Sequence, residues 1–116
     1  MFDQHRQEAD ERGADQGEPV MVVLQFTTDR PDALFEVLSH YVVASRGAEG
    51  ARNIDLVASA TTPGRVLVVE KWDSARAQRA HFDSAEMVEM ARACADVLTT
   101  APDIDLFHNV SMHDLA

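Results

Sequence analysis

Apolar and β-branched residues gather in four short runs along the chain, and these runs predict four β-strands. The first is Val20–Thr27 and the third is Arg65–Trp72, and both are apolar at even and odd positions. The second, from about residue 53 to 60, and the fourth, from 104 to 110, alternate more clearly between apolar and polar side chains. Since alternate side chains of a strand point to opposite faces, the first and third strands are expected to be covered on both faces.

The stretch between the first two strands has the spacing of an amphipathic helix. It opens around Pro31, with Asp29 as the predicted N-cap, and Gly47 and Gly50 are expected to end it. Its apolar face is formed by Leu34, Phe35, Leu38, Tyr41, Val42 and Ser45.

A second helical region follows the third strand. Asp73 or Ser74 is the predicted N-cap, and the helix is expected to break near Asp83-Ser84, restart, and stop at Pro102. The apolar face of the restarted part is formed by Met87, Met90, Ala91, Cys94, Val97 and Leu98.

The order β-α-β-β-α-β predicts an α+β fold of the ferredoxin-like type, with an antiparallel four-stranded sheet. The turn at residues 61–64 makes a hairpin of the second and third strands. Right-handed crossovers place both helical regions on one face of the sheet, which leaves the other face bare. On that bare face we expect Met21, Val23, Leu67 and Val69, and such an apolar patch predicts a homodimer with sheet packed on sheet.

Composition limits where this domain works. Residues 1–19 carry six acidic side chains and almost nothing apolar, so we expect a disordered tail; a helix docked on a partner is the alternative. The folded domain is predicted over residues 20–111, with a short C-terminal tail at 112–116. The net charge of −10 argues against nucleic acid or an anionic membrane as partner. A single cysteine, a polar N-terminus and no membrane-length apolar run favour a cytoplasmic protein.

The residues best suited to chemistry lie at the end of the third strand and in the helix after it. Glu70 and Trp72 share one face of the strand, and His81 lies two turns into the helix, so the three side chains could converge on one cavity. Histidine is the usual base near neutral pH, and a buried glutamate needs a partner. The alternatives are a hydrogen-bonded histidine, an ion-paired glutamate and a core tryptophan.

Further side chains could bind a substrate. They are Tyr41 on the core stripe of the first helix, Met90 and Arg92 on the second, and His108 on the fourth strand. Each has an ordinary structural alternative, and His40 is expected on the outer edge of its helix. No cluster of residues with metal-ligand spacing and no phosphate-binding glycine loop is present, so neither a metal nor another cofactor is expected.

At these positions the chain resembles the antibiotic biosynthesis monooxygenase family of dimeric α+β barrels. The matching elements are Ala44-Ser45-Arg46 with Glu49-Gly50, then Val68 to Ser74 with its Glu-x-Trp, then Ala80-His81-Phe82-Asp83-Ser84. The resemblance covers residues 20–111. It departs from the family at Ala85, Glu86 and Met87, where members often carry a proline and an aromatic residue or histidine.

The resemblance implies oxidation of an electron-rich aromatic such as a phenol, hydroquinone or anthrone, including polyketide intermediates, to a quinone by O2 without metal or flavin. In that chemistry His81 and Glu70 would be catalytic, and Trp72 and Met90 would line the pocket. A polyketide cyclase or a non-catalytic ligand-binding dimer remains an alternative on the same fold. The haem-degrading branch uses Asn, Trp and His where this chain has Val22, His81 and Met90, so haem breakdown is not expected.

Overall fold

Seven helices and strands follow one another through residues 18–113, the part of the chain that the computed structural model describes. In chain order they are β1 (Val20–Thr27), α1 (Pro31–Ser45), β2 (Ala51–Ala58), β3 (Arg65–Trp72), α2 (Ala75–Phe82), α3 (Ala85–Cys94) and β4 (Asp103–His108). The expectations for residues 1–17 and 114–116 lie outside the described range.

The four strands form one antiparallel sheet in the order β2-β3-β1-β4. Because β1 and β2 are both antiparallel to β3, they are parallel to each other with β3 between them. In the same way β3 and β4 flank β1. Each parallel pair is joined through helices, and this is the predicted ferredoxin-like α+β fold.

The helices cover one face of this sheet, as predicted, and the core lies between the two layers. The sheet contributes the buried residues Val20, Val22, Leu24, Phe26, Ile54, Val66, Val68, Glu70 and Trp72. Helix α1 covers them with the predicted stripe, of which Leu34, Leu38, Tyr41, Val42 and Ser45 are buried. Burial of this apolar surface is the main source of stability for the layer structure.

Within residues 18–113, no helix packs on the opposite face of the sheet. Its centre is the pair Val23 and Val69 on the two inner strands, and the facing residues of the edge strands are Asp55 and Asp105. The apolar residues on this bare sheet face are partly or largely exposed: Met21, Val23, Val57, Leu67, Val69 and Phe107. At its end, the buried Lys71 donates a 3.2 Å hydrogen bond from Nζ to the backbone carbonyl of His113.

Helix α1 begins one residue later than the cap prediction requires. Arg30 is the N-cap and makes no side-chain cap bond, while Pro31 occupies the first helical position as predicted. The predicted cap at Asp29 is therefore wrong. The hydroxyl oxygen of Thr28 accepts the Arg30 amide hydrogen at 2.9 Å. A threonine just after β1 therefore provides a hydrogen-bond acceptor for the backbone where the chain turns into α1.

The second helical region divides where the sequence indicated. Ser74 caps α2 by accepting from the Ala77 amide, and Ser84 caps α3 by accepting from the Met87 amide. The predicted end at Pro102 is wrong, because α3 ends at Cys94. Val97 and Leu98 still pack on the core, but from turns that run to the sheet edge.

Three smaller expectations also need correction. Strand β2 begins and ends two residues earlier than predicted, and β4 ends at residue 108 rather than 110. Ala91, predicted on the buried face of α3, is exposed. Gly50 lies just before β2 at φ +84°, and a Cβ there would collide with the Cβ of Ala77, so glycine allows α2 to pack close to this turn.

Candidate active site

A buried carboxylate is the centre of the polar interior. Glu70, on the helix side of β3, is 1% exposed. Its Oε1 accepts the indole hydrogen of Trp72 from Nε1 at 3.0 Å, and its Oε2 accepts the hydroxyl hydrogen of Tyr41. Both carboxylate oxygens therefore have a donor, one from the same strand and one from the helix layer above it.

His81 joins this carboxylate through Tyr41. Its Nε2 lies 3.0 Å from the Tyr41 hydroxyl oxygen and 3.1 Å from Ser45 Oγ. Because the Tyr41 proton is directed at Glu70, the Tyr41 oxygen can accept a hydrogen from His81 Nε2. The imidazole also lies against the indole of Trp72, with ring centroids 4.6 Å apart and planes tilted by 32°.

Burial and charge keep the phenol of this network protonated. Burial of Tyr41 is the largest cause that raises its pKa far above the ordinary range, and the negative charge of Glu70 and the hydrogen bond to it raise it further. A hydrogen bond with Ser45 acts in the opposite direction, to a smaller extent. Tyr41 is thus a stable proton donor to Glu70 at neutral pH.

The local sequence explains how side chains from three elements reach one point. Tyr41 and Ser45 are four residues apart on α1, so their side chains lie one above the other on the buried face. Glu70 and Trp72 share a strand face by parity, and His81 is the buried residue of the short helix α2. We call Tyr41, Ser45, Glu70, Trp72 and His81 the polar network.

The larger of the two pockets that Met90 lines lies between α3 and the sheet strands β1 and β4, and its volume is about 420 Å³. We call it the apolar pocket. Its walls include Phe26, Met87, Met90, Cys94 and Ile104. Burial raises the pKa of the Cys94 thiol to about 11, and the thiol Sγ lies 3.6 Å from Met90 Sδ.

The second pocket is a groove of about 210 Å³ between α1 and α3, which we call the interhelical groove. It is lined by Val37, His40, Tyr41, Ala44, Glu86, Glu89, Met90 and Ala93. Tyr41 is the one member of the polar network that lines either of these two pockets. Of these two pockets, the interhelical groove is therefore the one that reaches the polar network.

A family model described as antibiotic biosynthesis monooxygenase matches residues 19–93. The chain belongs to this family. Comparison with curated proteins gives no match.

Several solved structures share the fold. Rv0793 from Mycobacterium tuberculosis is 25% identical with a TM-score of 0.70, and the match covers 84% of this chain and 99% of that one. SnoaB from Streptomyces nogalater, a cofactor-independent oxygenase, is 17% identical with a TM-score of 0.71, covering 84% of this chain and 97% of its own. PA3566 from Pseudomonas aeruginosa is 20% identical with a TM-score of 0.73, covering 81% and 96%.

The structure brings together four of the residues that the sequence singled out in this family member. Glu70, Trp72, Tyr41 and His81 contact one another, but they fill the space where they meet: Glu70, Trp72 and His81 line neither the apolar pocket nor the interhelical groove. Met90 lines both pockets. The expected convergence is present, and of the four converging side chains Tyr41 alone lines one of these two pockets.

Two other candidates lie apart from the polar network. Arg92 is exposed on α3 and lines neither pocket. His108 is on the helix side of β4, where its strand partner is the buried Val20, yet its side chain is exposed because β4 is an edge strand. An interior place for His108 is therefore wrong.

Sequence reasoning gave no functional role to two residues that belong here. Ser45 was assigned only to the apolar stripe, although its spacing of four from Tyr41 was a usable signal. His40 lies on the outer edge of its helix, as expected, and lines the interhelical groove.

Residues 18–113 also contain neither a cluster of metal-ligating side chains nor a membrane-length apolar helix. No group of three or more His, Cys, Asp or Glu side chains there is arranged to hold a metal ion. Over the same residues, no helix combines the length and apolar character needed to cross a bilayer.

Proposed function

We propose that this monooxygenase family member oxidises an electron-rich aromatic hydroxyl compound with O2, using neither a metal nor an organic cofactor. The substrate class is a phenol, hydroquinone or anthrone, including polyketide intermediates, and the product is the quinone. The observation that carries this is the buried pair Tyr41 and Glu70, because it couples a proton acceptor to a groove beside an apolar pocket.

The apolar pocket suits a flat aromatic. Its volume of about 420 Å³ lies in the range of roughly 300–1,000 Å³ that is usual for small-molecule sites. No charged side chain lines it, and Met87, Met90 and Phe26 offer soft, polarisable surface. An aromatic anion next to such walls loses the hydration that would otherwise hinder electron transfer to O2.

The proposed proton transfer runs through Tyr41. The substrate hydroxyl gives its proton to the Tyr41 oxygen while the Tyr41 proton moves to the Glu70 carboxylate, so the substrate becomes an anion and Glu70 a neutral acid. His81 Nε2 and the Trp72 indole stabilise the charge that shifts between the two oxygens. His81 is thus a positioning residue rather than the base expected from its sequence position.

The oxidation then balances with O2 as the sole oxidant. The anion passes one electron to O2, the resulting radical and superoxide combine at the ring carbon, and the proton held on Glu70 completes a hydroperoxide. Loss of water from that hydroperoxide breaks the O–O bond and leaves the carbonyl of the quinone. For a phenol or an anthrone, one O2 is consumed and one water is released for each quinone formed. A hydroquinone follows the same steps at a ring C–H and gives the hydroxyquinone, again with one water released.

The experiment measures O2 uptake and quinone absorbance with anthrone and with hydroquinone in chelator-treated buffer. We expect turnover by the unaltered chain and a loss of about 100-fold or more in Glu70→Gln and Tyr41→Phe, in line with general-base contributions. Glu36→Gln, an exposed change of the same kind on α1, is the control and should retain full activity. Absence of O2 uptake with both compounds, or equal rates in Glu70→Gln and Glu36→Gln, would overturn the proposal.

A non-catalytic ligand-binding protein is the second candidate, and a specific observation favours it. Within the described residues, every buried side-chain nitrogen and oxygen has a hydrogen-bond partner, so the polar network is fully explained as a structural core. Tight binding of hydroxyaromatics without turnover in air supports this candidate. A polyketide cyclase is separated from both by product formation that continues under anaerobic conditions.

We also propose that the protein works as a homodimer joined through its bare sheet face. Val23 and Val69 would form the apolar centre, with Asp55 and Asp105 at the polar rim. Two-fold packing of equivalent faces would cover the exposed Val57 and Phe107 as well.

A further inference from the structure

Met90 is shared by two pockets that otherwise have no lining residue in common. It lines the apolar pocket together with Met87 and Cys94, on one flank of α3, and it lines the interhelical groove together with Glu89 and Ala93 on the other. Its own side chain is only 6% exposed and points to the core beneath α3. Met90 therefore stands as the partition between the two spaces.

Neither pocket alone meets the requirements of the proposed reaction. The apolar pocket has room for fused rings, but Tyr41 is not among its walls. The interhelical groove reaches Tyr41, but its volume of about 210 Å³ is below the range of roughly 300–1,000 Å³ that is usual for a small-molecule site. A substrate that places its rings in the first and its hydroxyl at Tyr41 must extend past Met90.

Methionine is suited to stand at such a point. Its side chain is unbranched with three rotatable bonds, and it moves among rotamers at low cost. The thiol of Cys94 donates a weak hydrogen bond from Sγ to Met90 Sδ at 3.6 Å, a contact that is easily broken. Turning this side chain aside would join the two spaces without moving a helix.

We propose that the apolar pocket and the interhelical groove are two halves of one ligand site, with Met90 as the movable partition. This rests on the proposed function and narrows it to an elongated, planar substrate of two or three fused rings, whose hydroxyl-bearing ring lies in the groove while the remaining rings lie in the apolar pocket. The groove half carries the exposed Glu86 and Glu89, so the hydroxyl end bears no carboxylate of its own. The charge of the anion formed at Tyr41 then spreads through the fused rings into the half of the site that lacks charged side chains.

The test measures binding, so that it does not depend on turnover. The elongated probe is 2-hydroxyanthraquinone, which O2 does not oxidise further, and the one-ring probe is phenol. Two matched variants each narrow one half of the site. Ala93 lines only the groove and Ala95 only the apolar pocket, so Ala93→Leu narrows the groove and Ala95→Leu narrows the apolar pocket. Both alanines are exposed, so the larger side chain is tolerated at either position. Met90→Ala opens the partition, and circular dichroism with thermal unfolding checks that each variant is folded.

A single bipartite site gives a specific pattern. Both alanine-to-leucine variants lower the affinity for 2-hydroxyanthraquinone by about tenfold or more, which is the effect that added methylene groups have in a binding pocket. Met90→Ala binds the same probe faster or more tightly. The affinity for phenol is lowered by Ala93→Leu and unchanged by Ala95→Leu. Should Met90→Ala be destabilised, Met90→Leu replaces it, and its stiffer branched side chain slows association of the elongated probe.

Three results would overturn the inference. The first is that 2-hydroxyanthraquinone does not bind the unaltered chain. The second is that only one of the two leucine variants lowers its affinity. The third is that neither Met90 variant changes its affinity or its rate of association. Failure of the proposed function has a different signature, because a chain that binds in this pattern but consumes no O2 keeps the bipartite site and loses only the oxidation.

Discussion

The Tyr41 hydroxyl on α1 donates a hydrogen bond to the Glu70 carboxylate on β3, so that a phenol of one layer holds a buried acid of the other. His81 Nε2 stands on the far side of the same hydroxyl at 3.0 Å. The Tyr41 phenol thereby lies between the Glu70 carboxylate and the His81 imidazole in space, inside an otherwise apolar core. This arrangement gives the fold a point at which stability and proposed chemistry depend on the same atoms.

Tyr41→Phe removes the shared hydroxyl and leaves Glu70 Oε2 and His81 Nε2 each with one partner fewer. We expect a loss of roughly 1–3 kcal/mol in the free energy of unfolding, the usual cost of leaving a buried polar group unsatisfied. Urea unfolding at neutral pH measures it. Combining Tyr41→Phe with Glu70→Gln should cost less than the two single losses together, because both remove the same interaction. Strictly additive losses would mean that the hydrogen bond contributes nothing of its own.

Ser45 and Ser39 provide a matched pair on α1. Ser45 is buried beside His81, whereas Ser39 is exposed on the same helix, so replacement by alanine gives both the same gain in helix propensity. We expect Ser45→Ala to be less stable than Ser39→Ala by about 1 kcal/mol, the net value of one hydrogen bond. The imidazole NMR signals of His81 should shift in Ser45→Ala only. Equal stabilities of the two variants together with unchanged His81 signals would show that Ser45 makes no hydrogen bond that contributes to the polar network.

The two inner strands could be predicted from sequence because their pattern leaves little choice. β1 and β3 have the predicted bounds, and the parity that puts Glu70 and Trp72 on the helix side follows from the alternation along β3. The break between α2 and α3 was also visible, because Ser84 is a strong N-cap residue directly after the end of α2.

The features that failed depend on contacts distant in the chain. The helical spacing of Val97 and Leu98 continues past Cys94, but Thr28 Oγ1 donates to the Val97 carbonyl at 2.6 Å and draws this segment to the sheet instead. Exposure of His108 follows from its edge strand, which alternation along the strand does not reveal. Likewise the packing of Glu70, Trp72 and His81 around Tyr41 depends on how β3, α2 and α1 fit together, which spacing along one element does not determine.

Cys94 is the single cysteine of the chain and should be unreactive in the folded state. It is 3% exposed, and burial raises its pKa to about 11, so the thiolate that alkylating reagents need is scarce at pH 8. We expect iodoacetamide to label it slowly in native buffer and rapidly in denaturant, as followed by mass spectrometry. Full labelling of the native chain at the denatured rate would contradict the burial.

The same raised pKa predicts how stability changes with pH. The unfolded thiol ionises near its ordinary pKa of 9.0 and the folded one near 11, so above pH 9 the unfolded state releases a proton that the folded state retains. The free energy of unfolding therefore falls as pH rises through this window. Between pH 8 and pH 10 we expect the unaltered chain to lose about 1 kcal/mol more than Cys94→Ala. Parallel losses in the two chains would show that Cys94 ionises alike in both states.

The proposed dimer can be tested with one substitution made at two places. Val69 lies at the centre of the bare sheet face, and Val43 is 68% exposed on α1, on the helix side of the sheet. Lysine at either position adds the same charge and removes the same apolar group, so any general effect on solubility is matched. Val69→Lys would bring an ammonium group from each protomer to the apolar centre of the interface, where the cross-strand Asp55 compensates only part of the desolvation cost, whereas Val43→Lys leaves its ammonium in water. In sedimentation at micromolar concentration we expect dimers of the unaltered chain and of Val43→Lys, and monomers of Val69→Lys. If the unaltered chain is monomeric, the proposal of a dimer is wrong. If Val69→Lys is still dimeric, the dimer interface does not lie on this face of the sheet.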